Sequence, residues 1–184
     1  SISASLYLKS PHTAELSWAT LIAATAIRSA IAELVTDEVL VKWPNDVLVN
    51  DKKISGILAQ IQPDGSLILG FGINLKAQAG APETATALDL LGVEADFDSV
   101  LHAVVRNFRI RWAIFEQDPQ VAITKARGEL VQHSATLGRS VRAELPGGGE
   151  VYGIAHDIDR EGRLVIHTPE PVVVSAADVW HLRN

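Results

Sequence analysis

Cysteine and methionine are both absent from this 184-residue chain. Without cysteine there are no disulfides, no thiolate metal sites and no cysteine nucleophile. The six histidines are scattered and form no helical i,i+4 pair, so their spacing does not describe a zinc site. No apolar run approaches the roughly 20 residues of a membrane span, and no signal-peptide pattern opens the chain. Basic residues are outnumbered 16 to 22, which argues against a general nucleic-acid or membrane-surface binder. The expectation is a soluble cytoplasmic protein with no DNA or membrane partner. Its length suits one main domain with at most a small appendage, large enough to bury a core without staples.

The chain opens Ser-Ile-Ser-Ala-Ser-Leu-Tyr-Leu, already strand-like. Such a segment at a terminus needs a sheet partner, so further residues are expected ahead of Ser1. Residues 3–9 alternate with the period of a strand, which Ser10-Pro11 ends. His12 beyond it reads as a solvated loop residue. From Glu15 to Leu34, apolar residues recur at helical spacing. Val39–Lys42 reads as a strand stopped by Pro44. Val47–Val49 and Ile54–Ile61 read as strands joined through the tight-turn pair Asn50-Asp51. Asp64-Gly65 is a hairpin signal leading to a return strand, Leu67–Leu75. Helices are expected across Thr86–Leu91, Ser99–Phe115 and Pro119–Gln132. The middle one carries Val100, Val104, Phe108, Trp112 and Phe115 on a core-facing stripe. After Gly138, five short strands separated by Gly147-Gly148-Gly149, Asp159–Gly162 and a proline pair around Glu170 suggest a small barrel. The division falls at residue 136, giving units 1–136 and 137–184.

Chemistry concentrates between Lys42 and Asn74. On the strand Leu67–Leu75, Gly70, Gly72 and Asn74 share one face, and Leu69, Phe71 and Ile73 the other. A two-residue turn at Asp64-Gly65 would pair Ala59 with Gly70 and Ile57 with Gly72. That gathers Ala59, Ser55 and Ile57 beside the glycines, with Lys53 and Asn74 at the end, and leaves Leu58 and Ile54 on the core face. The first face reads as a floor cleared for a flat molecule, although a one-residue slip would reverse the faces. Two glycines could equally admit a tightly packed helix. Lys42, Lys52 and Lys53 cluster in an acidic chain. A lysine beside the floor suits a phosphate or carboxylate, or a phosphoryl-centred transition state, while ordinary surface exposure is the plainer reading. Asn45 and Asp46 read either as turn chemistry or, for Asp46, as an oxygen ligand to nucleotide-bound Mg²⁺. Gly70-Phe71-Gly72 is not a dinucleotide fingerprint, and there is neither a Walker phosphate loop nor a Gly-x-Ser-x-Gly elbow.

Three elements in this region resemble the biotin protein ligases. They are Lys42-Trp43-Pro44-Asn45-Asp46, Lys53-Ile54-Ser55-Gly56-Ile57-Leu58, which is similar to the family's Lys-x-x-Gly-Ile-Leu, and Gly70-Phe71-Gly72-Ile73-Asn74-Leu75, similar to its Gly-x-Gly-x-Asn strand. Residues 137–184, with Gly138-Arg139-Ser140-Val141 and Ala177-Asp178-Val179, resemble its C-terminal SH3-like barrel. The resemblance implies an α+β fold: a mixed or antiparallel sheet with helices packed on it, class II synthetase-like, plus that barrel. It implies that biotin and ATP give biotinyl-5′-adenylate, and that the acyl group then passes to a lysine of a biotin carboxyl carrier protein or acyl-CoA carboxylase subunit. By motif position Lys53 would be the catalytic residue. Gly70 and Gly72 would line the biotin floor, and Asn74 would meet the adenine side. Lys42, Asn45 and Asp46 would serve the nucleotide and its Mg²⁺. Gly56 belongs to the same motif, although simple alternation puts it on the face opposite Lys53. A homodimer formed through the main sheet is a further implication. Family members also carry, before this region, a Gly/Arg-rich loop that folds over biotin and the adenylate, so that part is expected ahead of Ser1. A noncatalytic biotin- or carrier-binding module is the alternative, and lipoate ligase chemistry is a third reading that the Lys-Trp-Pro-Asn-Asp element and the barrel disfavour.

Overall fold

A computed structural model describes residues 1–145, 148–175 and 177–182. Gly147 of the glycine triplet, and the last two residues of the unit expected at 137–184, lie outside the described residues. The N-terminal part builds a five-stranded sheet from β1 (Ile2–Leu8), β2 (Val39–Lys42), β3 (Asp46–Val49), β4 (Lys52–Ile61) and β5 (Leu67–Ile73), in the order β1-β5-β4-β3-β2. Every ladder in it is antiparallel. Three helices accompany the sheet: α1 (Ala19–Ala32), α2 (Phe97–Gln117) and α3 (Pro119–Gln132). The C-terminal part is a second five-stranded antiparallel sheet of β6 (Ser140–Glu144), β7 (Glu150–Ile158), β8 (Leu164–His167), β9 (Val172–Val174) and β10 (Asp178–His181), in the order β10-β6-β7-β8-β9. The α+β class and the β-rich C-terminal unit agree with the sequence. Among the described residues no helix is long and apolar enough to cross a membrane.

Helix α1 is apolar on most sides because it is sandwiched. Its Leu21, Ile22, Ile27, Ala30 and Ile31 are buried between the sheet and the α2–α3 layer. Its alanines keep the backbone close to its neighbours. The stripe expected on α2 is buried throughout, from Val100 to Phe115. Asp96 caps α2 by accepting from the Ser99 amide, and Asp118 ends α2 and caps α3 by accepting from Gln120 and Val121, with Pro119 as first helical residue. One expected helix differs: Thr86–Leu91 contains only a 3₁₀ turn, Leu88–Leu91. The backbone there is committed elsewhere. Lys53 N–H donates to Thr84 O at 2.8 Å and Thr86 N–H to Lys53 O at 2.9 Å, so this segment runs beside β4 as extended chain. The helix expected from Glu15 likewise begins as a 3₁₀ turn, Thr13–Trp18, before α1.

Two tryptophans brace the parts together. Trp18 Nε1–H donates to Arg160 O at 2.7 Å and Trp43 Nε1–H to Gly162 O at 2.9 Å, both in the β7–β8 turn. Gly162 lies in the left-handed region, φ +80°, and a Cβ there would stand 3.1 Å from Leu21 Cδ1. Arg127 of α3 adds a two-pronged ion pair to Asp157, at 2.6 and 2.7 Å, and donates to Ile158 O.

Two glycines give opposite predictions. A Cβ on Gly153 of β7 would run into His167 O and stand 2.7 Å from Ile166 Cγ2, whereas one on Gly128 of α3 meets nothing within 4 Å. Gly153→Ala is expected to lower stability by about 1–3 kcal/mol through overpacking. Gly128→Ala is expected to raise it by roughly 0.5–1 kcal/mol, since glycine is unfavourable inside a helix. Urea unfolding midpoints of the two variants check both signs.

Candidate active site

The β4–β5 turn sets the site. Gln62 N–H donates to Ser66 O at 2.7 Å and Gly65 N–H to Gln62 O at 2.9 Å, with Gly65 at φ +79°. The loop is therefore Pro63-Asp64-Gly65, a three-residue turn with a left-handed glycine, and not the expected two-residue turn. The register moves by one: Gly56 pairs with Gly72, Ile57 with Phe71 and Leu58 with Gly70. The faces change accordingly. Leu58, placed in the core by the sequence argument, is exposed beside Gly70, while Ser55 and Ile57, placed on the floor, are buried with Phe71 and Ile73.

A second irregularity sits four residues upstream of Leu58. On the β3 side, Val47 pairs with Ser55 but Leu48 pairs with Lys53, so Ile54 is an extra residue in β4. Ile54 and Ser55 are both buried in succession, which alternation forbids and a bulge permits. The bulge corrects the expectation that Lys53 and Gly56 lie on opposite faces. A Cβ on Gly56 would stand 2.9 Å from both Lys53 Cε and Nζ. Lys53 lies over Gly56.

Taken across the ladders, Ser3, Gly72, Gly56, Asp46 and Lys42 form one lateral row through all five strands. Ser5, Gly70 and Leu58 form the next. The nearest atom to a Cβ on Gly72 is Ile2 O at 3.8 Å, and for Gly70 it is Ser5 Oγ at 3.6 Å, both ordinary contacts. Among the described residues no helix is seated on this face, so the tight-packing reading of the glycines is not what the structure contains. Lys53 Nζ lies 2.6 Å from Asp46 Oδ1, an ion pair over the glycine row.

Lys42, Asp46 and Lys53 also line a cleft of about 940 Å³ whose far wall is C-terminal: Arg139, Ser140, Ile154, Trp180 and His181. Two expected site residues are turned to other work. Asn45 donates its amide to Ile57 O and accepts from Ile57 N–H, each at 2.9 Å, clasping the bulged strand. Asn74 donates to Thr86 O at 3.0 Å and borders a separate cavity of about 210 Å³ with Lys76 and Leu90. Lys52 is exposed at the Asn50-Asp51 turn, whose two residues have φ of 51° and 59°. Trp43 was missed as a domain brace; its one signal was an indole N–H beside Pro44 that burial would oblige to find a partner. Arg139, Trp180 and His181 gave no signal of a place in this cleft, because their approach depends on how the two sheets dock.

His181 registers the field of the cleft. Burial, then the charges of Lys42 and Arg139, push its imidazole down to about 4. The unfolded chain takes up this proton near the ordinary value of 6.5, so it binds more protons than the folded state between those limits. Stability is therefore lost as pH falls from 6.5 toward 4. His133, lowered by burial and by Arg28, acts in the same direction. The urea midpoint is expected to drop between about pH 7 and pH 5, above the ordinary carboxylate range, and His181→Asn should flatten that slope.

Comparison with known proteins gives this geometry a family. Residues 2–76 match the model of the biotin/lipoate A/B protein ligase family, and residues 136–182 that of the biotin protein ligase C-terminal domain. The chain is 40% identical over 176 residues to the biotin–[acetyl-CoA-carboxylase] ligase of Mycobacterium tuberculosis, covering 90% of this chain and 63% of that protein. It is 30% identical over 171 residues to the bifunctional ligase/repressor BirA of Bacillus subtilis, covering 87% of this chain and 51% of that one. It thus spans between half and two thirds of the length of these relatives. The apo biotin protein ligase of Aquifex aeolicus has the same fold, with a TM-score of 0.85 at 24% identity over 98% of this chain and 82% of that one. With both family models matched in order and the two-sheet fold shared, the chain belongs to the biotin protein ligase family.

Proposed function

We propose that the chain forms the catalytic floor and C-terminal wall of an ATP-dependent biotin ligase. Residues 1–136 would hold biotin and nucleotide, and 137–184 would close the cleft. The observation that carries this reading is Lys53 lying over Gly56 in a row that runs from the bare Gly72 to Asp46 and Lys42. Such a row offers room for a flat ring over Gly70 and Gly72 and positive charge for a carboxylate beyond it. In the first step a biotin carboxylate oxygen attacks the α-phosphorus of ATP, and the bond to pyrophosphate breaks. Both reactants are anions. The Lys53 ammonium brings them together and stabilises the charge that builds on the phosphoryl oxygens. Asp46 holds that ammonium above the floor, and the backbone bonds of Lys53 to Thr84 and Thr86 fix its base. In the second step a carrier lysine amine attacks the acyl carbon, AMP leaves, and the amine gives up a proton.

Mg²⁺ in nucleotide sites takes one or two protein carboxylates together with substrate phosphates. Asp46, the one carboxylate in the three motif elements between Lys42 and Leu75, fits that share, and Lys42 beside it would meet the phosphates. Among the described residues there is no group of three or more histidine or acidic side chains that could hold a metal ion. Asn45 and Asn74 would act by positioning, the first through Ile57 and the second through Thr86. The acceptor would be a biotin carboxyl carrier protein or the corresponding acyl-CoA carboxylase subunit.

Lys53→Ala is expected to lower biotin-dependent pyrophosphate–ATP exchange by about 10²-fold or more, with the unfolding midpoint unchanged. Near-normal exchange would remove Lys53 from the reaction. Biotin binding with no ATP-dependent transfer to a carrier by the unaltered protein would favour the noncatalytic module.

A further inference from the structure

Three cations line the cleft of a chain whose net charge is −6: Lys42, Lys53 and Arg139. Two are already paired. Lys53 faces Asp46 on its own sheet, but Arg139, from the segment leading into β6, reaches across to Asp51 at 3.2 Å. Lys42 has no ion-pair partner among the described residues, and its charge, with that of Arg139, falls on the half-buried His181. Among the described residues, the Arg139–Asp51 pair is the one ionic contact that bridges the walls of the cleft itself. It is also half-exposed on both sides, so it is weakly held. Asp51 is fixed, because it sits in the left-handed Asn50-Asp51 turn, which Asn50 ties to Asp37 at 2.7 Å.

We infer that Arg139 is a polyphosphate-binding residue supplied by the C-terminal sheet, parked on Asp51 and exchanged onto the β- and γ-phosphates of the bound nucleotide. This rests on reading the cleft as a nucleotide site. An arginine fork bonds a phosphate through two N–H groups at once, whereas Asp51 engages one Nη2, so the exchange gains hydrogen bonds without creating an unpaired buried charge. Lys42 supplies the second positive contact from β2. The C-terminal unit then grips the part of ATP that leaves, and its hold is released with pyrophosphate.

The test is calorimetric titration with inorganic tripolyphosphate, which needs neither biotin nor turnover. The unaltered protein is expected to bind it, Arg139→Ala to bind at least 10-fold more weakly, and Arg139→Lys to recover part of the loss. Asp51→Asn should bind as tightly as the unaltered protein or more tightly, because it frees Arg139. Absence of binding, equal affinity in Arg139→Ala, or an Asp51→Asn loss as large as that of Arg139→Ala overturns the inference; the last would make the pair purely structural. If the Arg139 pattern holds but no biotin is transferred to a carrier, the ligase reading fails and this one stands. Biotin transfer with unchanged tripolyphosphate affinity in Arg139→Ala has the reverse meaning.

Discussion

The extra residue Ile54 in β4 is the constraint on which the rest of the site depends. Without it, Lys53 and Gly56 would point to opposite sides of the sheet, and the ammonium would have no place over the glycine row. With it, the strand changes phase between Lys53 and Ser55, and the side chain meant for solvent chemistry comes round onto the open face. Several neighbours serve to keep the bulge in place. Thr84 and Thr86 bond the Lys53 backbone from outside the strand, Asn45 clasps Ile57 from the other side, and Asn74 N–H donates to Ile54 O at 2.9 Å. The asparagines of the family motifs thus hold the strand that carries the lysine.

This accounts for what the sequence made legible and what it did not. Strands β1 and β2, the Asn50-Asp51 hairpin and the α2 stripe follow from alternation, turn residues and helical spacing, all of them local signals. The β4–β5 register does not, because Pro63-Asp64-Gly65 contains a dipeptide equally at home in two- and three-residue loops. The bulge is invisible for a similar reason: Lys-Ile-Ser-Gly-Ile-Leu fits smooth alternation. Each of these errors shifts the pattern by one residue, and they cancel at Lys53, which the sequence argument placed beside Gly70 and Gly72 by the wrong pairing. They do not cancel at Leu58 or Ile57, whose sides are exchanged.

The Lys-Trp-Pro-Asn-Asp segment divides its labour by residue. Lys42 and Asp46 lie on the open row, two places of the same lateral line. Trp43 turns the other way, buried, with its amide on Thr136 Oγ1 at 3.1 Å and its indole on the β7–β8 turn. Asn45 faces β4. A segment of five residues therefore fixes the floor, the bulge and the docking of the second sheet together, and a change in how the C-terminal sheet docks would be felt at Lys42. That coupling is long-range in sequence, between residues 43 and 162, and no local pattern announces it.

The distribution of charge along the open row also makes sense of the chemistry. Neighbouring strands lie about 4.8 Å apart, so the line from Gly72 through Gly56 and Asp46 to Lys42 runs for about 14 Å. It is neutral and bare at the glycine end and charged at the other. A ligand with a flat uncharged ring and an anionic tail has one favourable orientation on such a track: ring over Gly70 and Gly72, anion toward Lys53. Reversing it would bury the anion against backbone at the neutral end and strand the ring among ammonium and carboxylate groups, losing solvation at both ends. Asp46 sharpens this choice by repelling an anion that overshoots Lys53, unless a cation travels with it. On the proposed reading the row would order its ligands before any bond is made: the acid would be held at Lys53, and a phosphate chain would need an accompanying cation to lie beside Asp46 and Lys42.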